Sequence, residues 1–234
     1  MINFIIGSLL LISSFVFAQN NQQLSKNCEN ELAKYSDCLN EIGKIKTEGM
    51  GIGETMISYC NTFKLEKCKN FVSNVNSANS NCISNEKENL DRVTAVSILT
   101  LKIAYLTYCA TDKDGNTCPL SNYLLSNANI LKQSYAYEPT REMLGNFKED
   151  CRINECNKRL INLKNIIDKI KSILGNGLDI TTDDPVNYEK YLDYYKNNQC
   201  SDIDGSVENA AISLKIISYP FVLIIIAIST LLLY

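Results

Sequence analysis

Ten cysteines, at positions 28, 38, 60, 68, 82, 109, 118, 151, 156 and 200, constrain this chain of 234 residues more than any other feature. Their number is even, no C-x-x-C spacing occurs among them, and the chain contains no histidine. A zinc site of the usual ligand spacing is therefore disfavoured, and five disulfides are the expectation. Such bridges form in secreted and surface proteins, and at roughly 2–4 kcal/mol each a few of them rival the whole net stability of a domain. The close pairs Cys60/Cys68, Cys109/Cys118 and Cys151/Cys156 are expected as staples at helix ends.

The cysteines lie between two hydrophobic ends. Residues 1–18, MINFIIGSLLLISSFVFA, carry no charge and end at Ala18 before the polar Gln19-Asn20-Asn21, which predicts a signal peptide cleaved after Ala18. Ile216 to Tyr234, IISYPFVLIIIAISTLLLY, runs to the last residue, and the nearby Lys215 lies on its N-terminal side, where it opposes a type I orientation. Small residues, a spacer and an apolar tail are the parts of a glycosylphosphatidylinositol (GPI) attachment signal. Asn209-Ala210-Ala211 is the expected site, Ile212 to Pro220 the spacer and Phe221 to Tyr234 the tail. Asp204 and Gly205 form a competing site, and a single transmembrane helix is the alternative to the anchor.

The expected organisation is a signal peptide at 1–18, a cysteine-rich ectodomain at 19–200, a linker with the attachment region at 201–211, and a removed signal at 212–234. The whole chain has 23 basic and 26 acidic residues. Since the removed segments contain only Lys215, the mature chain keeps 22 against 26, a net of −4. That balance gives no footprint for nucleic acid and no basic patch for anionic lipid. The expected partners are the membrane, through the anchor, and an extracellular protein or glycan.

Helical periodicity dominates the ectodomain. Leu24 to Ile45 places Cys28, Leu32, Tyr35, Leu39 and Ile42 on one face. Glu54 to Val75 reads as a second helix through Ile57, Cys60, Cys68 and Phe71, with Lys64 the charged position on its face. Leu90 to Cys109, with Leu90, Val93, Val96, Leu99, Ile103 and Leu106 on one stripe, is expected at the centre of the core, interrupted by Lys102. A shorter helix is expected over Ser121 to Tyr135, and another beginning at Pro139-Thr140 ahead of Met143, Leu144 and Phe147. Ile153, Cys156, Leu160, Leu163, Ile167, Ile170 and Leu174 alternate by threes and fours up to a Gly175-Asn176-Gly177 cap. Asp184-Pro185 then starts a tyrosine-rich helix. No run of period-two alternation competes, so the expected fold is all-α, a disulfide-stapled helical bundle of about five to seven helices.

Five cysteines fall in 28–82 and five in 109–200, so at least one bridge must join these halves. A faint internal repeat is suggested only by the order of long and short separations.

Chemistry is sparse. Asp112-Lys113-Asp114-Gly115-Asn116 resembles the first five positions of an EF-hand calcium loop, but Thr117, Pro119 and Tyr123 replace the glycine, hydrophobic and glutamate positions that follow, and a solvated turn explains the segment equally well. Without histidine there is no Ser-His or Cys-His pair, and paired cysteines are not nucleophiles. Asp183/Asp184 and Glu142/Glu149 are the available carboxylate pairs, and surface charge is the better reading of both. Gly51-Ile52-Gly53 is expected as a flexible connection. No catalytic, cofactor or metal residues are assigned, and the chain is read as a non-enzyme. Tyr188, Tyr191, Tyr194 and Tyr195 form a candidate contact surface, since tyrosine supplies rigid amphipathic area, or else pack over the core. The 28 asparagines include no Asn-x-Ser/Thr sequon, and Asn-x-Cys occurs only at Asn116, Asn154 and Asn198, so the surface is read as free of N-glycans.

In plan the chain resembles the cysteine-rich, GPI-anchored surface proteins that microbial eukaryotes such as fungi and ciliates carry in lineage-specific families. The likeness rests on the two terminal signals and on segments such as YCNTFKLEKC and YCATDKDGNTCP. It implies a coat component or an adhesion or recognition module on the outer leaflet of the plasma membrane. The Cys-Cys and Cys-x-Cys motifs of lipid-transfer proteins are missing, yet a helical binder of lipid or another small ligand, with a cavity lined by Val93 to Leu106, is the alternative function.

Overall fold

The structure is a computed structural model that describes residues 24–46, 49–83, 89–128, 141–174 and 192–206. The signal peptide, Asn209, the C-terminal apolar segment, the Pro139-Thr140 start, the Gly175-Asn176-Gly177 cap, Asp183, Asp184, Tyr188 and Tyr191 lie outside the described residues. Within them the fold is all-α and closed by five disulfides, as expected.

Helix α1 spans Lys26–Gly43 and is opened by Ser25, whose hydroxyl accepts the Cys28 N–H. Its inner face carries Cys28, Tyr35 and Ile42, three of the positions the sequence marks, together with Cys38, and Leu32 and Leu39 are half-buried beside them. The single helix expected over Glu54 to Val75 is instead three pieces: α2 at Ile52–Phe63, a 3-10 turn at Glu66–Cys68 and α3 at Lys69–Ser73. The break falls after Lys64, at Leu65, where the backbone becomes extended. It folds Phe71 back onto Phe63, with ring centroids 5.6 Å apart, and points Cys68 at α1. Gly51-Ile52-Gly53 is not a loose connection: Gly51 caps α2 and its N–H donates to Glu54 at 2.9 Å.

Helix α4, Asn89–Ala104, continues into a π-helical turn at Tyr105–Cys109, so the expected element is present with an altered last turn. Val96, Leu99, Ile103 and Leu106 are buried, as its stripe predicts. Tyr35, Phe71, Phe63 and Tyr105 form an aromatic row from α1 through α3 and α2 to the π turn, with neighbouring centroids 5.3–5.6 Å apart.

A hairpin at 110–118 follows, then α5 at Pro119–Ser126, α6 at Arg141–Arg152, α7 at Asn154–Leu174, α8 at 192–196 and a 3-10 turn at Cys200–Ser206. Eight α-helices are thus described, one above the expected range because the second element is split. On α7 the buried positions are Cys156, Leu160, Leu163, Ile166, Ile170 and Ile173, with Ile167 and Leu174 half-buried. Packing continues past the expected boundary at Cys200, since Ile203 is fully buried. No described helix is long and apolar enough to cross a membrane.

None of the three close cysteine pairs is a bridge. The pairing is Cys28–Cys82, Cys38–Cys68, Cys60–Cys109, Cys118–Cys156 and Cys151–Cys200. Each joins elements 30 to 54 residues apart, because neighbours such as Cys60 and Cys68 sit on segments that face different partners. Cys60–Cys109 meets the requirement of a bridge between 28–82 and 109–200. The covalent boundary, however, lies at the hairpin: six cysteines up to Cys109 pair among themselves, as do the four from Cys118 onward.

Candidate functional site

The densest chemistry in the described residues is buried where the two disulfide sets meet. Asp150 occupies the apolar face of α6, three residues after Phe147, and Arg159 the apolar face of α7, three after Cys156. Their side chains are 0% and 2% exposed. Asp150 Oδ2 accepts from Arg159 Nε at 3.0 Å and lies 2.9 Å from Nη2, while Oδ1 accepts the Leu120 N–H at 3.0 Å. Arg159 Nη1 donates to the Leu106 carbonyl oxygen at 2.6 Å, inside the π turn. Tyr195 closes the network from α8, its hydroxyl donating to the Phe147 carbonyl oxygen at 2.8 Å and lying 3.5 Å from Asp150 Oδ2. Burial pushes the Asp150 carboxyl above its ordinary value, against the pull of Arg159, the Leu120 N–H and Tyr195.

This constellation is shut off from solvent, and it bonds backbone groups of three segments, the Leu106 carbonyl oxygen, the Leu120 N–H and the Phe147 carbonyl oxygen. It can hold the two halves in register, and no substrate reaches it. Asp150 also groups with Cys118 and Cys156, their ligand atoms within 4.8 Å of one another. A metal does not fit, because the two sulfurs share a disulfide and the carboxylate already faces a guanidinium.

A second pair of buried charges pins the segment that ends at Cys82. Glu31 on α1 accepts from the Ser80 hydroxyl at 2.9 Å, from the Cys82 N–H at 3.2 Å and from the Asn81 N–H. Lys102 on α4, which the sequence marks as an interruption, is buried and donates to the Ser77 carbonyl oxygen at 2.8 Å. Burial lowers its ammonium below the ordinary value, and Glu31 opposes that shift.

The calcium-like segment turns its ligands inward. Asp112 Oδ1 accepts the N–H groups of Asp114 and Asn116 at 2.8 and 2.9 Å, and Oδ2 accepts from the Asn116 side chain at 3.1 Å. Gly115 adopts φ +82°, which closes the turn of a hairpin paired at Thr111 and Thr117. This is the geometry of a solvated Asx-type turn. Glu142 and Glu149 are exposed, seven residues apart on one helix and hence about 10 Å along its axis, and Glu149 pairs with Arg152 at 2.6 Å.

Of the four tyrosines proposed as a contact surface, Tyr195 is 1% exposed and belongs to the core, stacked edge-on against Phe147 at 6.4 Å, and Tyr194 is half-buried against that core. One surface concavity among the described residues, about 310 Å³, is a groove on α7 and α8 lined by Ile161 and Leu192 and by Lys164, Asp168, Asp193 and Lys196. Its charges pair within their own helices, Lys164 with Asp168 and Lys196 with Asp193. Ile57 and Leu65, 47% and 45% exposed, are the large apolar side chains that face solvent among the described residues.

No family model, curated protein or solved structure matches the chain.

Proposed function

We propose that this chain is a GPI-anchored, non-enzymatic protein of the cell surface, serving as a coat component or as an adhesion or recognition module. The observation that carries the reading is that all ten cysteines form buried bridges and no thiol is free. Bridges of this kind form during passage through an oxidising compartment. The apolar ends of the sequence supply the route there and the attachment at its end. Burial of Ile203 favours Asn209 over Asp204 and Gly205 as the anchor site, since a lipid at Asp204 would follow a core residue directly and leave no tether. Sealing of the Asp150–Arg159 network supports a scaffold role for the strongest cluster of interacting ionisable groups.

The test is treatment of intact cells bearing the tagged chain with phosphatidylinositol-specific phospholipase C. Release of the ectodomain into the supernatant is expected. Retention, with a control anchored protein released and inositol acylation ruled out, would mean that Ile216 to Tyr234 stays as a membrane helix.

A further inference from the structure

The Asp150–Arg159 pair spans the base of the hairpin, reaching the Leu106 carbonyl oxygen on one side and the Leu120 N–H on the other. The next residue on each side, Thr107 and Ser121, carries a buried hydroxyl. Among the described residues, the side-chain atoms buried without a hydrogen bond are Asp91 Oδ2, Thr107 Oγ1, Ser121 Oγ and Arg159 Nη2. Three of these four belong to this one seam. Arg159 Nη2 makes its 2.9 Å ion-pair contact with Asp150 yet no aligned hydrogen bond.

The two residues, Thr107 and Ser121, flank the base of the hairpin at equal distances along the chain. Cys118 N–H donates to the Ala110 carbonyl oxygen at 2.8 Å, and Thr107 and Ser121 each lie three residues outward from that bond, on the π turn and on α5. Those elements pack against each other. A buried hydroxyl left unsatisfied costs free energy comparable to a lost hydrogen bond, and internal waters characteristically make about three bonds to such groups.

We propose that the seam between the two disulfide sets contains a binding site for one internal water, held by Thr107 Oγ1, Ser121 Oγ and Arg159 Nη2. The water completes the polar network that the Asp150–Arg159 pair begins. It extends the seam's hydrogen bonding from backbone groups of residues 106 and 120 to the side chains of 107 and 121.

A crystal structure of the full chain in detergent, at a resolution that shows ordered water, tests this. Density for one water within hydrogen-bond reach of all three atoms is expected. It should vanish in the Thr107→Val/Ser121→Ala variant and persist in Thr107→Ser, which keeps the hydroxyl. If the double variant fails to fold, the wild-type density decides alone. Hydroxyls bonded to helix carbonyl oxygens with no water between them, or density unchanged in the double variant, would overturn the proposal.

Discussion

Arg159 donates to the carbonyl oxygen of Leu106 at 2.6 Å, across a boundary that no disulfide crosses. The two covalent sets are therefore joined by the 110–118 hairpin and by packing, with Arg159 and Asp150 at the centre of the joint. A second link of the same kind runs from Arg92 on α4 to the Ile173 carbonyl oxygen at the end of α7.

Removing one partner of the central pair should cost far more than removing both. Asp150→Ala leaves a buried guanidinium uncompensated, and a loss of about 3–5 kcal/mol is expected. Asp150→Leu with Arg159→Met should recover most of that loss, because the desolvation cost disappears with the charges. Denaturant unfolding of the oxidised protein measures both, and equal losses in the single and double variants would contradict this assignment.

A cut in the hairpin should separate the halves only under denaturing conditions. With a protease site inserted at Gly115-Asn116, the cleaved chain is expected to elute as one species in native buffer. It should split into two fragments in denaturant without reductant. Fragments that remain linked there would mean a bridge crosses residues 110–117.

Replacing Cys28 and Cys82 together by alanine opens the longest of the bridged intervals, 54 residues. Chain entropy puts the cost at about 4 kcal/mol. Glu31 and Lys102 still hold the segment before Cys82, so the local fold should survive. Lys102→Met, which leaves the Ser77 carbonyl oxygen without its donor, should cost about 1–3 kcal/mol by the same unfolding assay.

Acid sensitivity should include Glu41, whose carboxyl is drawn down to about 2 by hydrogen bonds from Lys67 and then Lys44. A carboxyl pKa lowered by folding contributes stability that is complete above its unfolded value of 4.5 and is lost as pH falls through about 2. The melting temperature should therefore drop less steeply between pH 5 and pH 2 in Glu41→Gln than in the wild type. Parallel profiles would remove Glu41 from the acid response.

Much of the helical content is readable from spacing because an amphipathic stripe records burial locally. Cys28, Tyr35 and Ile42 on α1 and Leu160, Leu163 and Ile170 on α7 are such cases. Where two apolar residues adjoin, the stripe is ambiguous: at Ile166-Ile167 the core side is chosen by packing on α4, which a periodic pattern does not encode. Disulfide partners are equally invisible, since Cys60 and Cys68 lie close in sequence but separate at the Leu65 break. The polar joint does leave a trace. Asp150 and Arg159 occupy apolar-face positions on consecutive helices with opposite charge, a pattern that reads as a buried pair once both faces are known to be core. The π turn that carries the Leu106 carbonyl oxygen leaves no comparable mark in the sequence.

The helical body is closed by five specific bridges, and the proposed surface role requires them to form in an oxidising compartment. Peptide mapping without reduction, on protein recovered from intact cells, tests this most directly. The expected fragments link Cys28 to Cys82, Cys38 to Cys68, Cys60 to Cys109, Cys118 to Cys156 and Cys151 to Cys200, with no free thiol. Free cysteines throughout, or a bridge joining any cysteine up to 109 with one from 118 onward, would contradict it.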